Sequence, residues 1–166
     1  MKTAAAPASS RFLWFDRGGA RFAVAMENLQ EVLPLPALRT LPVSEPSLAG
    51  LMVVREFILP VFDPALMAGS AAVPRQALAN AVILNLGDRP LFALIAEEVG
   101  KVIPLSAPRR ISTPVRLPAA FAGELPAPGS ERMLILNPNE FALAMGLTAP
   151  PPAVISQPGE CAGKPN

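Results

Sequence analysis

The sequence contains no histidine and no tyrosine, and it has a single cysteine, Cys161. Without histidine the chain lacks the commonest general base, the commonest metal ligand and every Ser-His or Cys-His nucleophile pair. One cysteine cannot form an internal disulfide or supply a metal cluster, and its position in a polar, proline-bearing tail fits a reducing cytoplasm. Charged side chains make up 16% of the chain and the net charge is +1, so electrostatics gives no reason to expect nucleic acid or an anionic membrane as partner. Aromatics are 5%, and none interleaves with the local cluster Arg109, Arg110 and Arg116, which reads as a solvated loop. No apolar run approaches the roughly 18 residues of a membrane span. Met1 to Ser10 (MKTAAAPASS), broken by Pro7, lacks the apolar core of a secretion signal.

What the chain does have is 51% apolar side chains interrupted by 21 prolines and 11 glycines. That punctuation excludes long helices and favours short strands joined by tight turns, an all-β class.

The stretch FAVAMENLQEVLPL, Phe22 to Leu35, is echoed seventy residues later by FALIAEEVGKVIPL, Phe92 to Leu105. Six of the fourteen positions are identical and four more exchange one aliphatic side chain for another, where chance would give roughly one identity. Upstream, FLWFDRGGARF and VILNLGDRPLF each place a strand before a Gly-containing turn and a second strand, the pattern of a β-hairpin. Gly18-Gly19 therefore reads as a hairpin turn, not as a phosphate-binding loop. Downstream, ILPVFDPALMAG and RMLILNPNEFALAMG each run a strand into Asp63-Pro64 or Asn137-Pro138. These are helix-start residues, with Glu140 completing a capping-box pattern and Gly69 and Gly146 as stops.

Each copy is thus expected to build one small barrel of short strands closed by a short helix, and the two barrels to pack through an apolar interface with a groove at the junction. The expected domains are a flexible N-terminus, 1–10, a body over 11–147 and a flexible Pro-rich tail, 148–166. The body divides into subdomains of about 11–78 and 79–147, with strand exchange between them left open. Glu27 and Glu97 are matched acids, but neither sits in the Asp-Thr/Ser-Gly turn of a carboxylate dyad. Glu97-Glu98 are adjacent along a strand, where side chains diverge, so no metal site is expected. No catalytic residue and no cofactor are expected, and a compact apolar protein of this kind works by touching other proteins.

The order of motifs resembles the CheW family, the adaptor proteins of bacterial chemotaxis. The residues that carry the resemblance are Phe12-Leu13-Trp14-Phe15, Gly18-Gly19, Leu29-Gln30-Glu31-Val32, Pro46 to Leu51, Val53-Val54-Arg55-Glu56 and Ile58 to Asp63. In the second half they are Val82 to Gly87, Ala96-Glu97-Glu98-Val99 and Arg132 to Leu136. The resemblance spans about Arg11 to Leu147. It implies two packed, intertwined, five-stranded SH3-like β-barrel subdomains with short helices. It also implies a non-enzymatic coupler of a chemoreceptor cytoplasmic tip to the regulatory domain of a CheA-type histidine kinase, with ring assembly through homologous domains. Such a protein would sit in the cytoplasm, recruited to membrane-associated receptor arrays without inserting in the membrane.

Carried over by position, Leu29, Glu31, Gly50, Arg55 and Val99 form the receptor-facing set, suited to helix-in-groove docking. Residue by residue, Leu29 and Val99 also read as core, and Arg55 as a partner for Glu31. The family's Asn-Leu-Arg-Gly turn is here Val53-Val54-Arg55-Glu56, so either the turn changes shape or Glu56 bears strain, and the chain reads as a divergent member. The competing reading is a double barrel binding a small ligand or peptide outside chemotaxis.

Overall fold

The computed structural model describes residues 11–71, 79–105, 108–112, 114–127 and 130–147. The flexible ends expected at 1–10 and 148–166, with Cys161, lie outside the described residues. Among those described, the element order repeats. In the first copy β1 (Arg11–Arg17) and β2 (Ala20–Ala25) form a hairpin, and a 3₁₀ turn at Met26–Asn28 leads into β3 (Leu29–Pro34). A second hairpin, β4 (Leu48–Val54) and β5 (Phe57–Phe62), runs into α1 (Pro64–Met67). The second copy gives β6 (Asn80–Leu86), β7 (Arg89–Ala96), β8 (Glu98–Pro104), β9 (Phe121–Ala127), β10 (Ser130–Leu136) and α2 (Pro138–Ala144).

The local chemistry matches the expected signals. Gly18 and Gly19 sit at φ 60° and 77° between the paired residues Arg17 and Ala20, the two positive dihedrals that a tight, strand-matched hairpin turn requires. Asp63 caps α1 by accepting from the Ala65 N–H at 3.0 Å, and Asn137 caps α2 by accepting from Glu140 N–H at 3.3 Å. Pro64 and Pro138 occupy the first helical positions, where a missing N–H costs nothing.

The expectation that each copy builds its own barrel is corrected by the strand order. One five-stranded sheet runs β8-β1-β2-β10-β9 and the other β3-β6-β7-β5-β4, so each takes two strands from one copy and three from the other. The reason lies after the first hairpin. The 3₁₀ turn at Met26–Asn28 redirects the chain where a two-residue loop would have returned it along β2, and β3 pairs with β6 of the other copy. The edge of β2 left open is taken by β10 in parallel, as that of β7 is taken by β5, a pairing that only a long crossover permits. The two sheets are SH3-like barrels woven through one another.

This weave makes three apolar cores. Phe12, Ala23, Leu125, Met133 and Ile135, with Trp14, fill one barrel; Met52, Val54, Leu59, Val61, Ala81, Ile83, Ala93 and Ile95 fill the other. The largest core lies between them and includes Phe15, Phe22, Phe62, Phe92, Phe121 and Phe141. Strand β1 shows the logic: Phe12 and Trp14 point into their barrel, while Leu13 and Phe15 point to the interface. A strand apolar on both faces is what a sandwiched sheet demands.

Two straps lock the barrels in matched fashion. Arg39 and Leu51 exchange backbone hydrogen bonds at 2.9 and 2.8 Å, and Arg109 and Glu124 do so at 2.9 and 2.9 Å. Beneath each strap lies a glycine: a Cβ on Gly50, which is also at φ 152°, would stand 2.6 Å from the Arg39 carbonyl oxygen, and one on Gly123 would stand 2.5 Å from that of Arg109. Since backbone atoms cannot yield as a flexible side chain can, Gly50→Ala and Gly123→Ala are each expected to lower stability by about 1–3 kcal/mol. Denaturant midpoints followed by the fluorescence of Trp14 measure this, and a midpoint unchanged in both variants would contradict the close approach.

Candidate functional site

The five residues assigned by resemblance fall into three structural roles. Leu29 opens β3 and Val99 lies at the matching place in β8; both are half-buried and pack against the inter-barrel core. Each is followed by a register shift, at Leu29/Glu31 against β6 and between Leu13 and Phe15 against β8. Such a bulge re-aims the side chains beyond it. Gly50 is buried under the Arg39 strap, so it shapes β4 rather than presenting a surface.

Glu31 and Arg55 meet. Arg55 Nη1 and Nη2 donate to the two Glu31 carboxylate oxygens at 2.6 and 3.0 Å. Glu31 belongs to β3 and Arg55 to the turn after β4, which are opposite edges of one sheet. The fork of hydrogen bonds therefore spans the seam where the sheet curls shut. The Arg55 side chain is 67% exposed, so the pair is a surface clasp contributing about 1 kcal/mol or less. The strain expected at Glu56 sits instead on Arg55, the one non-glycine at positive φ among the described residues, 52°. Register explains this: Val54 pairs with Phe57, leaving Arg55 the first residue of a two-residue loop, where such turns want φ above zero.

Beside the clasp lies a feature that the sequence reading missed. Val53 and Ile58 are directly opposite each other on β4 and β5 and stand 64% and 60% exposed, flanked on the same face by half-buried Leu51 and Pro60. An available signal was LMVVREFILP itself, in which alternate positions on both sides of the turn are apolar, leaving no polar face for solvent.

A second unforeseen feature is a buried ionic centre. Arg17, 1% exposed, donates through Nη2 to Asp63 Oδ2 at 2.7 Å and through Nη1 to Glu97 Oε1 at 2.7 Å. Its Nε reaches Asp63 Oδ1 and Oδ2 at 3.2 and 3.3 Å, and the Gly18 N–H donates to Glu97 Oε2 at 3.3 Å. Burial works to lower the Arg17 pKa, but the hydrogen bonds and charges of Asp63 and then Glu97 outweigh it and raise the value. Glu97 is thereby committed to Arg17, whereas its repeat partner Glu27 lies exposed on the 3₁₀ turn. The two acids weighed as a dyad are engaged differently. Among the described residues no group of three or more Cys, Asp or Glu side chains could hold a metal ion.

With this geometry in hand, the CheW-like domain description matches residues 11–143. The chain belongs to the CheW-like domain family. Among solved structures, the crystal structure of the scaffolding protein TtCheW from Thermoanaerobacter tengcongensis is similar, with a TM-score of 0.63 and 17% identity over 78% of this chain and 89% of that one. At that identity the likeness is one of fold. No match is found among curated proteins. Membership of the CheW-like family identifies the chain as a chemotaxis scaffold or adaptor module, from a family of scaffold proteins rather than enzymes.

Two outcomes follow from the electrostatics. Removing one partner from a buried ion network costs about 3–5 kcal/mol, whereas replacing the set by neutral groups costs far less. Arg17→Leu is therefore expected to lose stability on that scale. Adding Asp63→Asn, which copies the Leu86 and Asn137 found at the equivalent places of the other half, should recover part of it in denaturant titrations. A double variant no more stable than the single would refute the network's role.

The second outcome concerns Glu45, whose Oε1 accepts from the Ser47 N–H and Oγ–H at 3.0 and 2.6 Å and from Arg116, which also donates to the Leu66 carbonyl. Burial pushes the Glu45 carboxyl up, but these hydrogen bonds and the Arg116 charge together hold it below the usual carboxylate value. A depressed carboxyl stabilises the fold above its unfolded value of about 4.5 and loses that contribution as pH falls through the folded one. Glu45→Gln should accordingly flatten the acid limb of stability against pH while lowering stability near neutrality; an unaltered acid limb would count against the linkage.

Proposed function

We propose that this CheW-like protein couples the cytoplasmic tip of a chemoreceptor to the regulatory domain of a CheA-type histidine kinase in a chemosensory array. The observation that carries this reading is the family match over residues 11–143. Two surface features support it. Glu31 and Arg55 form an exposed, charged clasp at a barrel seam, and Val53 and Ile58 present an apolar surface next to it. An aliphatic patch bordered by an orienting charge suits a helical hairpin or a homologous barrel, because apolar area supplies affinity and the charge fixes register.

On this reading Arg55 and Glu31 face the receptor, Leu29 and Val99 hold the adjoining surface against the inter-barrel core, and Gly50 sets the path of β4. Contacts with the kinase's homologous domain then build the ring. The protein works in the cytoplasm at receptor arrays; no helix among the described residues is long and apolar enough to cross a membrane.

The test is co-purification with the cognate kinase and receptor cytoplasmic fragment, using wild type, Arg55→Glu, and the swap Arg55→Glu with Glu31→Arg. Arg55→Glu places two carboxylates across the seam, so its loss of receptor binding alone mixes folding with recognition. The swap restores the clasp and reverses its orientation. Receptor binding is expected to stay weakened about tenfold in the swap while stability returns. Full recovery of binding would reassign the pair to the seam alone, and failure of the wild type to bind either partner would overturn the adaptor reading.

A further inference from the structure

The outer face of the hairpin β4–β5 carries two exposed charges, Arg39 and Glu56, that play no part in the sites described above. Residues paired across neighbouring strands project to the same side of a sheet, so the register arranges this face in rows. Arg39 of the strap pairs with Leu51, and Leu51 with Pro60, which makes one row. Val53 and Ile58 make the next, two residues nearer the turn. Alternation carries the same side on to Arg55 and Glu56 in the turn itself.

Neither the Arg39 nor the Glu56 side chain makes an ion pair among the described residues. Arg55 is held by the Glu31 fork, so Glu56 is the uncompensated charge of the turn. Strand rise sets the Arg39 row roughly 13 Å from that turn. The strip therefore runs from positive through apolar to negative, with the Val53–Ile58 row at its centre. A two-fold axis through that centre lays a second copy on it in the reverse direction. Each Arg39 then faces Glu56 of the other copy, and Val53 and Ile58 of both exclude water between them. Facing sheets pack about 10 Å apart, a gap that an arginine and a glutamate span from opposite sides.

One such contact is available per chain. The matching face of the other barrel has Glu124, Pro126 and Arg132 where this one has Leu51, Val53 and Ile58, and so lacks the apolar centre. A single self-complementary face closes on a pair and does not propagate a filament. Its few side chains fall well short of the roughly 20–30 residues a side of a standard stable interface, so the pair is weak and depends on concentration.

We propose that the outer face of β4–β5 binds a second copy of this chain as a weak two-fold dimer, with Val53 and Ile58 at its centre and Arg39 against Glu56 at both ends. The inference does not rest on the coupling of receptor to kinase, and any partner that takes the same apolar face competes with the dimer. The test is sedimentation equilibrium of the full chain up to about 1 mM, where wild type is expected to show a reversible monomer–dimer equilibrium. Val53→Thr with Ile58→Thr keeps β-branched side chains at exposed positions, so the thermal midpoint should stay near that of wild type while association is lost. Arg39→Glu and Glu56→Arg each bring like charges together at both ends and should weaken the dimer about tenfold. An equimolar mixture of those two variants re-forms both ion pairs in the mixed dimer and should regain wild-type association, a rescue that only a two-fold contact between these residues gives. A wild type that stays monomeric throughout, a dimer that survives the threonine pair, or a mixture no tighter than its components would overturn the proposal.

Discussion

The apolar interface between the two barrels is the constraint on which the rest of the molecule depends. Six of the eight phenylalanines lie in it. Phe15 stacks on Phe22 at 5.7 Å and Phe22 on Phe121 at 6.2 Å, while Phe62, Phe92 and Phe141 meet edge to face at 4.9 to 6.0 Å. Such pairs contribute beyond the area they bury. Three of these rings come from each copy, and because each sheet is itself built of both copies, neither barrel can form while the other is unfolded. The interface fixes the relative placement of β3, β4 and β8, and so of every surface residue that a partner could read.

Against that shared frame, the differences between the copies are concentrated at the ends of strands. Arg17 reaches out of β1 on the interface side and binds the helix-capping carboxylate Asp63 and the corner residue Glu97. Its counterpart, Leu86, is a large exposed apolar residue, and the counterpart of Asp63 is the neutral cap Asn137. One junction between barrels is thus ionic and closed, whereas the other is neutral at the places of Arg17 and Asp63 and carries only the exposed Glu27 at that of Glu97. A similar contrast separates the two bulges. In β8 a Cβ on Gly100 would overlap the Trp14 ring, whose other contacts include the Arg21 guanidinium at 4.0 Å. In β3 the matching Gln30 is exposed and accepts from Asn85 Nδ2 at 3.3 Å. Gly100 departs from its repeat partner because it must admit the single tryptophan.

Much of the fold was legible in the sequence because the signals are local. The hairpin at Gly18-Gly19, the caps Asp63 and Asn137 and the seventy-residue repeat all depend on neighbours a few positions apart, and each appears where the chemistry required. The partition of strands was not legible from the repeat, since whether β3 returns along β2 or crosses to β6 depends on the turn at Met26–Asn28 and on which edge is open. The site was legible only in part. Glu31 and Arg55 were foreseen as a pair, yet the reason they meet, closure of a sheet whose edges they occupy, exists only in three dimensions. Arg17 gave no warning at all: in RFLWFDRGGARF it resembles any charge beside a turn, and its burial follows from facing Asp63, 46 residues away.

The repeat supplies an internal comparison that separates structural from recognition residues without any other sequence. Where folding imposes a demand, both copies meet it alike: Gly50 and Gly123 lie under carbonyl oxygens of Arg39 and Arg109, Met52 and Leu125 fill the barrels, and Pro64 and Pro138 start the helices. Where the fold makes no demand, the copies are free to differ. They do so on the outer faces next to those positions, where Leu51, Val53 and Ile58 in one half stand against Glu124, Pro126 and Arg132 in the other. A face kept apolar in water at 64% and 60% exposure costs solubility and brings the fold nothing. With that apolar face at one end and charged side chains at the other, a single duplicated frame presents two chemically distinct surfaces.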